Sequence, residues 1–111
     1  MTTMKIAIPS MGETLESFLS NNLGHAPFII IYDDETKDYV SCSNIGFRTQ
    51  DGSGLKAVEI ILQNKADILL TLEIGRKAYS GLLKEHINVQ ILNSGSTVRS
   101  AINNFLKKIG T

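Results

Sequence analysis

Three glycine-containing turns in this chain combine residue types that can bind an anion. Such binding requires neither a nucleophilic side chain nor a cluster of metal ligands. The first is Asp51-Gly52-Ser53-Gly54, and the other two are centred on Gly75 and Gly95. Each turn precedes a segment with the three- and four-residue apolar spacing of an amphipathic helix. Unpaired N–H groups at a helix start bind anions, and glycine lets the backbone take positive φ and approach a ligand closely. The turns therefore predict anion binding if the fold brings them together.

Basic side chains follow these turns, although acidic residues are the usual choice at a helix start. Lys56, Arg76 with Lys77, and Arg99 fall in the first turns of the three predicted helices. The helix dipole leaves partial positive charge at this end, so basic residues there lower stability unless an anion offsets them. We favour a bound anion. The alternative is that these side chains pair with the carboxylates of Asp51 and Glu73, or extend into water.

The segments that must position these turns alternate between strand and helix patterns. We expect strands at residues 4–9, 28–32, 39–43, 67–72 and 88–92, where short β-branched runs occur. Apolar spacing predicts helices at residues 14–20, 54–64, 76–85 and 97–109. The same spacing predicts that the apolar side chains of these helices face the core, namely Leu15, Phe18, Leu19, Leu55, Val58, Ile61, Leu62, Ala78, Tyr79, Leu82, Leu83, Val98, Ala101, Ile102, Phe105 and Ile109.

The order of these segments restricts the topology of the sheet. The second and third strands form a hairpin, whereas each later helix must cross over right-handedly to a parallel strand. The order that satisfies both conditions is 3-2-1-4-5, with only the second strand reversed. The carboxyl ends of strands 1, 3, 4 and 5 then meet at one edge, where ligands bind in open α/β sheets. All three turns fall on this edge, together with Arg48 and the loop from Asn22 to Pro27.

Size and composition limit the classes of protein and partner. The 111 residues make one domain, and eleven basic side chains balance eleven acidic ones. A neutral chain lacks the long-range positive field of a nucleic-acid or anionic-membrane binder, so we expect neither partner. Cys42 is the single cysteine, which excludes an internal disulfide and a self-contained four-thiolate iron–sulfur site. With no apolar run of membrane-spanning length, we expect a cytoplasmic protein.

Five motifs, spread in order over nearly the whole chain, resemble the dinitrogenase iron-molybdenum cofactor family. This family comprises nitrogenase accessory proteins and their small stand-alone relatives. The motifs are Met4-Lys5-Ile6-Ala7-Ile8-Pro9, Gly24-His25-Ala26-Pro27-Phe28, Gly52-Ser53-Gly54, Ile74-Gly75-Arg76-Lys77-Ala78 and Gly95-Ser96-Thr97-Val98-Arg99. The resemblance implies a ribonuclease-H-like α/β/α fold. It also implies binding or carrying of an iron-molybdenum cofactor, a related iron–sulfur cluster or a precursor, without catalysis.

The resemblance and the turns together define the candidate site. In the family, the histidine thought to contact the cluster falls on Asn22 of this chain, and His25 offers an imidazole from the same turn as a candidate metal ligand. The expected partners are an anionic metallocluster and cofactor-assembly or regulatory proteins. The candidate cofactor-binding residues are those of the turns and the cations beside them, namely Gly24, His25, Arg48, Gly52, Ser53, Gly54, Gly75, Arg76, Gly95, Ser96, Thr97 and Arg99.

Other chemistries find less support in the sequence. A nuclease of ribonuclease-H-like fold needs carboxylates at the strand ends to hold two metal ions, and strand 1 has none. Ser53 and Ser96 have no obvious base beside them and are better explained as helix-start hydrogen bonders. We therefore expect no enzyme. The alternative function is a protein–protein interaction or regulatory module of the same fold that binds no metal.

Overall fold

Five strands and three helices follow one another in the computed structural model, which describes residues 4–44 and 53–110. The strands are β1 (Lys5–Ser10), β2 (Phe28–Asp33), β3 (Tyr39–Ser43), β4 (Ile68–Thr71) and β5 (Asn88–Ile91). The helices are α1 (Ser53–Gln63), α2 (Arg76–Lys84) and α3 (Val98–Lys108), and a 3₁₀ turn spans Leu23–His25. None of the helices described is long and apolar enough to cross a membrane.

The strands form one mixed sheet in the order β3-β2-β1-β4-β5. β2 runs antiparallel to both β1 and β3, whereas β4 is parallel to β1 and to β5. The predicted order, with only the second strand reversed, is therefore confirmed. As expected, the carboxyl ends of the parallel strands meet at one edge of the sheet.

Both faces of the sheet are buried, because successive residues of its central strands are apolar and point to opposite sides. On one face, Ile6 and Ile8 pack with Val98 and other residues of α3. On the other face, Ala7 and Leu69 pack with residues of α1 and α2. This is the three-layer α/β/α arrangement that the family resemblance implied.

The segment between β1 and the 3₁₀ turn differs from the prediction, since residues 14–20 form no helix. The Ser17 N–H closes a tight turn by donating to the Thr14 carbonyl at 3.0 Å. Leu15 and Leu19 are buried, at the four-residue spacing that a helix would also produce. Phe18, which a helix would turn toward the core, is 68% exposed. The leucine spacing fits both structures, and only Phe18 distinguishes them.

Backbone bonds hold this edge segment (residues 11–22) across the carboxyl ends of the strands. Leu19 N–H donates to the Ser96 carbonyl at 2.9 Å, beyond the end of β5. Asn22 forms a parallel bridge with Glu73, which follows β4. The edge segment thus spans from β5 to β4, although it contains no helix or long strand.

Four further side chains predicted to face the core are largely exposed. They lie on the flanks of the helices, where smaller or more central residues such as Ala57 and Leu82 fill the interior instead. The spacing of apolar residues shows which side of a helix is buried. It does not show how many residues across that side are buried. The four residues are Leu55, Tyr79, Leu83 and Ile109.

Leu19 and Phe18 provide a direct test of the edge segment. Replacing Leu19 by alanine removes a buried side chain, and we expect a loss of about 2–4 kcal/mol in the free energy of unfolding. Phe18→Ala, its neighbour, should change that free energy by no more than about 0.5 kcal/mol, because the ring lies mostly in solvent. Urea unfolding followed by circular dichroism measures both. A larger loss for Phe18→Ala than for Leu19→Ala would contradict this conformation.

Candidate functional site

The structure separates the predicted site residues into two groups along the carboxyl edge. One group lies where the 3₁₀ turn, α1 and α2 pack together, and it contains Gly24, His25, Ser53, Gly54, Gly75 and Arg76. The other lies at the start of α3 and contains Gly95, Ser96, Thr97 and Arg99. Arg48 and Gly52 lie outside the described residues.

The start of α3 is closed by the chain itself. Thr97 is its N-cap, and the threonine hydroxyl accepts the N–H of the residue three positions later at 3.1 Å. The N–H groups of Val98 and Arg99 donate to the carbonyls of Ser17 and Leu15, at 3.0 and 2.8 Å. These carbonyls belong to the edge segment. The first-turn N–H groups that the sequence offered for anion binding are therefore already bonded within the protein.

Arg99 and Gly95 are also explained by contacts with the edge segment. The Arg99 guanidinium binds the Glu16 carboxylate, with Nε and Nη2 at 2.7 and 2.6 Å from Oε1. This carboxylate raises the pKa of Arg99. A Cβ on Gly95 would collide with the Leu19 side chain, so the glycine is needed for packing and not for positive φ. Sequence reasoning missed Glu16, which is 83 residues away from its partner.

The starts of α1 and α2, in contrast, lie side by side. A Cβ on Gly54 would stand only 3.2 Å from the Cβ of Ala78, so the glycine lets the two first turns touch. Gly75 is the N-cap of α2 and provides no side-chain cap. In the described part of the chain, no acceptor binds the N–H groups of Arg76, Lys77 and Ala78. The positive ends of two helix dipoles therefore converge here.

The charges at this pair of helix starts are all of the kind that favours an anion. Neither α1 nor α2 has an acidic residue in its first turn. Arg76 and Lys77 are exposed, and within residues 4–44 and 53–110 no carboxylate forms an ion pair with them. Lys56 lies 3.8 Å from Glu59, but both side chains are exposed and such a pair contributes little. Among the residues that the structure describes, Arg76 and Lys77 are therefore left without a carboxylate partner.

Two asparagines hold the 3₁₀ turn against this region. The Oδ1 of Asn22 accepts the Gly24 N–H at 2.9 Å. Asn44 is fully buried, and its Nδ2 donates to the Ala26 carbonyl at 2.9 Å and to the Leu23 carbonyl at 3.4 Å. These hydrogen bonds hold in place the turn that carries the exposed side chain of His25. The sequence alone did not identify Asn44 as important, because it shows only a single asparagine after a predicted strand.

The described residues offer little for ligating a bare metal ion. They contain no group of three or more histidine, cysteine or acidic side chains close enough to hold one. Cys42 is half-buried on β3, and burial raises the pKa of its thiol, which keeps it protonated near neutral pH. His25 is the only one of the two histidines near the helix starts. What this part of the site offers is N–H groups and cations, which suit a preassembled anion.

The fold and the sequence both match known structures. The apo form of the orange protein from Desulfovibrio gigas is 27% identical with a TM-score of 0.89, over 95% of this chain and 88% of that one. A Thermotoga protein described as "a putative NifB protein" is 30% identical with a TM-score of 0.83, over 94% and 88%. No curated protein matches the sequence.

A family-level match covers almost all of the sequence. The pattern described as "Dinitrogenase iron-molybdenum cofactor" matches residues 4–108. It includes all the elements of the sheet and the three helices, and it agrees with the five motifs found in the sequence. The match supports an accessory or binding role related to the iron-molybdenum cofactor. The chain belongs to the dinitrogenase iron-molybdenum cofactor family.

Proposed function

We propose that this protein binds or carries an anionic metallocluster at the paired starts of α1 and α2. The cargo is an iron-molybdenum cofactor, a related iron–sulfur cluster or a precursor of either. The observation that carries the proposal is the close approach of Gly54 to Ala78, which brings the start of α1 beside the start of α2, where no side chain caps the helix. Family membership supports the class of cargo, and the geometry supports the location.

The electrostatics of the pair favour an anion larger than a single carboxylate. Each helix start is equivalent to roughly half a positive charge, and the open N–H groups of α2 add directional donors. Arg76 and Lys77 contribute two full charges that no described carboxylate neutralises. An anionic cluster bound there would offset the cost of placing basic residues at a helix start. Such a cluster needs few direct ligands, and His25 on the neighbouring turn can supply one.

This proposal narrows the site that the sequence alone indicated. Arg99 and the start of α3 are engaged with the edge segment, so we place the anion beside Arg76 instead. Gly24, His25, Gly54 and Gly75 remain in the proposed site. The edge segment then has a structural role. Its carbonyls accept the first N–H groups of α3 and, within the described residues, they accept none from α1 or α2.

A protein–protein module that binds no metal is the second candidate function. It is favoured by Asn22, which stands at the histidine position of the family and uses its side chain to form the 3₁₀ turn. Exposed Phe18 and Met11, which are 68% and 56% accessible, add an apolar surface on the edge segment. The two functions differ in whether an anion binds at α2.

Arg76 and Arg99 form a matched pair for testing the anion site, since both are exposed first-turn arginines at the same edge. We expect Arg76→Ala to weaken thiomolybdate binding roughly tenfold, because it removes a charge-assisted contact of about 1.4 kcal/mol or more. Arg99→Ala should change the affinity less than about twofold, because Arg99 already binds Glu16. Anaerobic NMR titration of the amide-labelled protein with thiomolybdate and molybdate measures the affinity.

The same titration locates the site in the unmodified protein. We expect saturable shifts of the Gly54, Gly75 and Lys77 amides and little change at Gly95. Equal losses of affinity in the two arginine variants would show that the anion is not at α2. Absence of any saturable shift with either anion would favour the protein–protein module.

Gly75→Asp separates binding from folding. An added Cβ at Gly75 meets nothing within 4 Å and the residue's φ of −73° suits any side chain, so an aspartate can cap α2. We expect the cap to raise the free energy of unfolding by roughly 0.3 kcal/mol, because aspartate exceeds glycine at an N-cap by only a few tenths of a kcal/mol. The carboxylate would also occupy the open N–H groups and repel an anion, so thiomolybdate affinity should fall at least about tenfold.

Gly75→Asn is the matched neutral control for this charge. Its amide can cap the helix in the same way, so its thermal stability should rise while its thiomolybdate affinity falls less than that of Gly75→Asp. A more stable Gly75→Asp protein with unchanged affinity would exclude α2 as the anion site.

A further inference from the structure

β5 ends the sheet, and half of its backbone groups face away from β4. The N–H groups of Asn88 and Leu92 donate to carbonyls of the β4 segment at 3.1 and 2.8 Å, so the even-numbered residues bond inward. Because backbone groups alternate along a strand, Val89 and Ile91 present their N–H and C=O to the open side. Within the described ranges, no partner binds these groups. They can accept another strand.

A groove of about 120 Å³ adjoins this open backbone, between β5 and α3. Its apolar lining comes from Ile91, Leu92, Ala101 and Phe105, and its polar lining includes Gln90, Ser94 and Asn104. The volume is well below the roughly 300–1,000 Å³ of small-molecule sites. It suits a single aliphatic side chain of a bound peptide better than a whole cofactor.

The charge beside the groove is positive. α3 contains no acidic residue, and its last turn carries Lys107 and Lys108. Lys108 lines the groove, and no acidic residue does. Neither lysine has an ion-pair partner among the residues described. At the opposite edge, two carboxylates and one lysine, namely Asp33, Asp38 and Lys5, line the cavity beside β3.

We propose that β5 and α3 bind an extended, acidic segment of a partner protein as a sixth strand of the sheet. Main-chain bonds to Val89 and Ile91 would give affinity, and side chains at alternate positions would give specificity, as in other complexes formed by strand addition. On the side facing α3, one aliphatic side chain fills the groove, and an acidic one two positions away reaches Lys108. The surface is independent of the proposed anion site.

The first test is an NMR titration with a blocked five-residue peptide of threonines, with valine at its second and glutamate at its fourth position. Both side chains then project to the same side of the added strand. We expect saturable shifts at Val89, Ile91 and the amides of α3. A peptide with lysine in place of glutamate should bind at least tenfold more weakly. A peptide whose glutamate is moved by one position, so that it projects to the other side of the strand, should also bind at least tenfold more weakly.

Ile91→Pro removes the outward N–H without breaking a bond of the fold, and proline is tolerated at such edge positions. We expect it to abolish peptide binding, with circular dichroism confirming that the variant is folded. Lys108→Glu should weaken binding at least tenfold and remains informative if the proline variant does not fold. Lys84→Glu is the matched control, since Lys84 is an exposed lysine in the last turn of α2, and its affinity should be unchanged.

Several results would overturn the proposal. Equal binding of the glutamate and lysine peptides would exclude the role of Lys108, and full affinity in Ile91→Pro would exclude strand addition. Absence of saturable binding by the glutamate peptide would exclude an acidic partner segment. Concentration-dependent shifts of β5 in the free protein would show that a second copy of the chain occupies this edge.

Discussion

The hydrogen bonds between the edge segment and α3 close the start of that helix to a ligand. A helix start has N–H groups that must find acceptors, and the carbonyls of Leu15 and Ser17 satisfy those of α3. The protein thus uses its own backbone where a bound anion would otherwise serve. α1 and α2, on the opposite face, receive no such acceptors in the described part of the chain. An edge that looks uniform in sequence is therefore divided into a closed half and an open half.

On the open half, the same small residues serve both helix packing and the proposed anion site. Gly54 allows α1 to approach Ala78 closely, and that approach also brings the partial charges of the two helices together. The buried side chain of Asn44 donates a hydrogen bond to the end of the neighbouring 3₁₀ turn and holds it in place. The site is consequently built on rigid elements, which reduces the ordering cost of binding a ligand.

Much of the fold could be predicted from local patterns, because strand alternation, helix spacing and the right-handed crossover rule together leave few topologies. The edge segment could not, since Leu15 and Leu19 have the same spacing in a helix and in the observed bridges. The pairing of Arg99 with Glu16 was equally out of reach, because nothing local in either residue's neighbourhood marks the other. Positive φ was expected at the glycines of the turns, but Gly54 and Gly95 do not have it, and at both a Cβ would crowd a neighbouring side chain.

The connection between the edge segment and α3 also bears on the order in which the chain folds. Glu16 and Arg99 are separated by 83 residues, so their contact requires nearly the whole chain to be in place. Contacts of such long sequence separation form slowly, because a large loop must close before they contribute. During synthesis, Leu15 and Leu19 would lack α3 until the last helix emerges. Completion of the carboxyl edge is therefore coupled to the final stage of folding, and a chain shortened before α3 would expose these leucines.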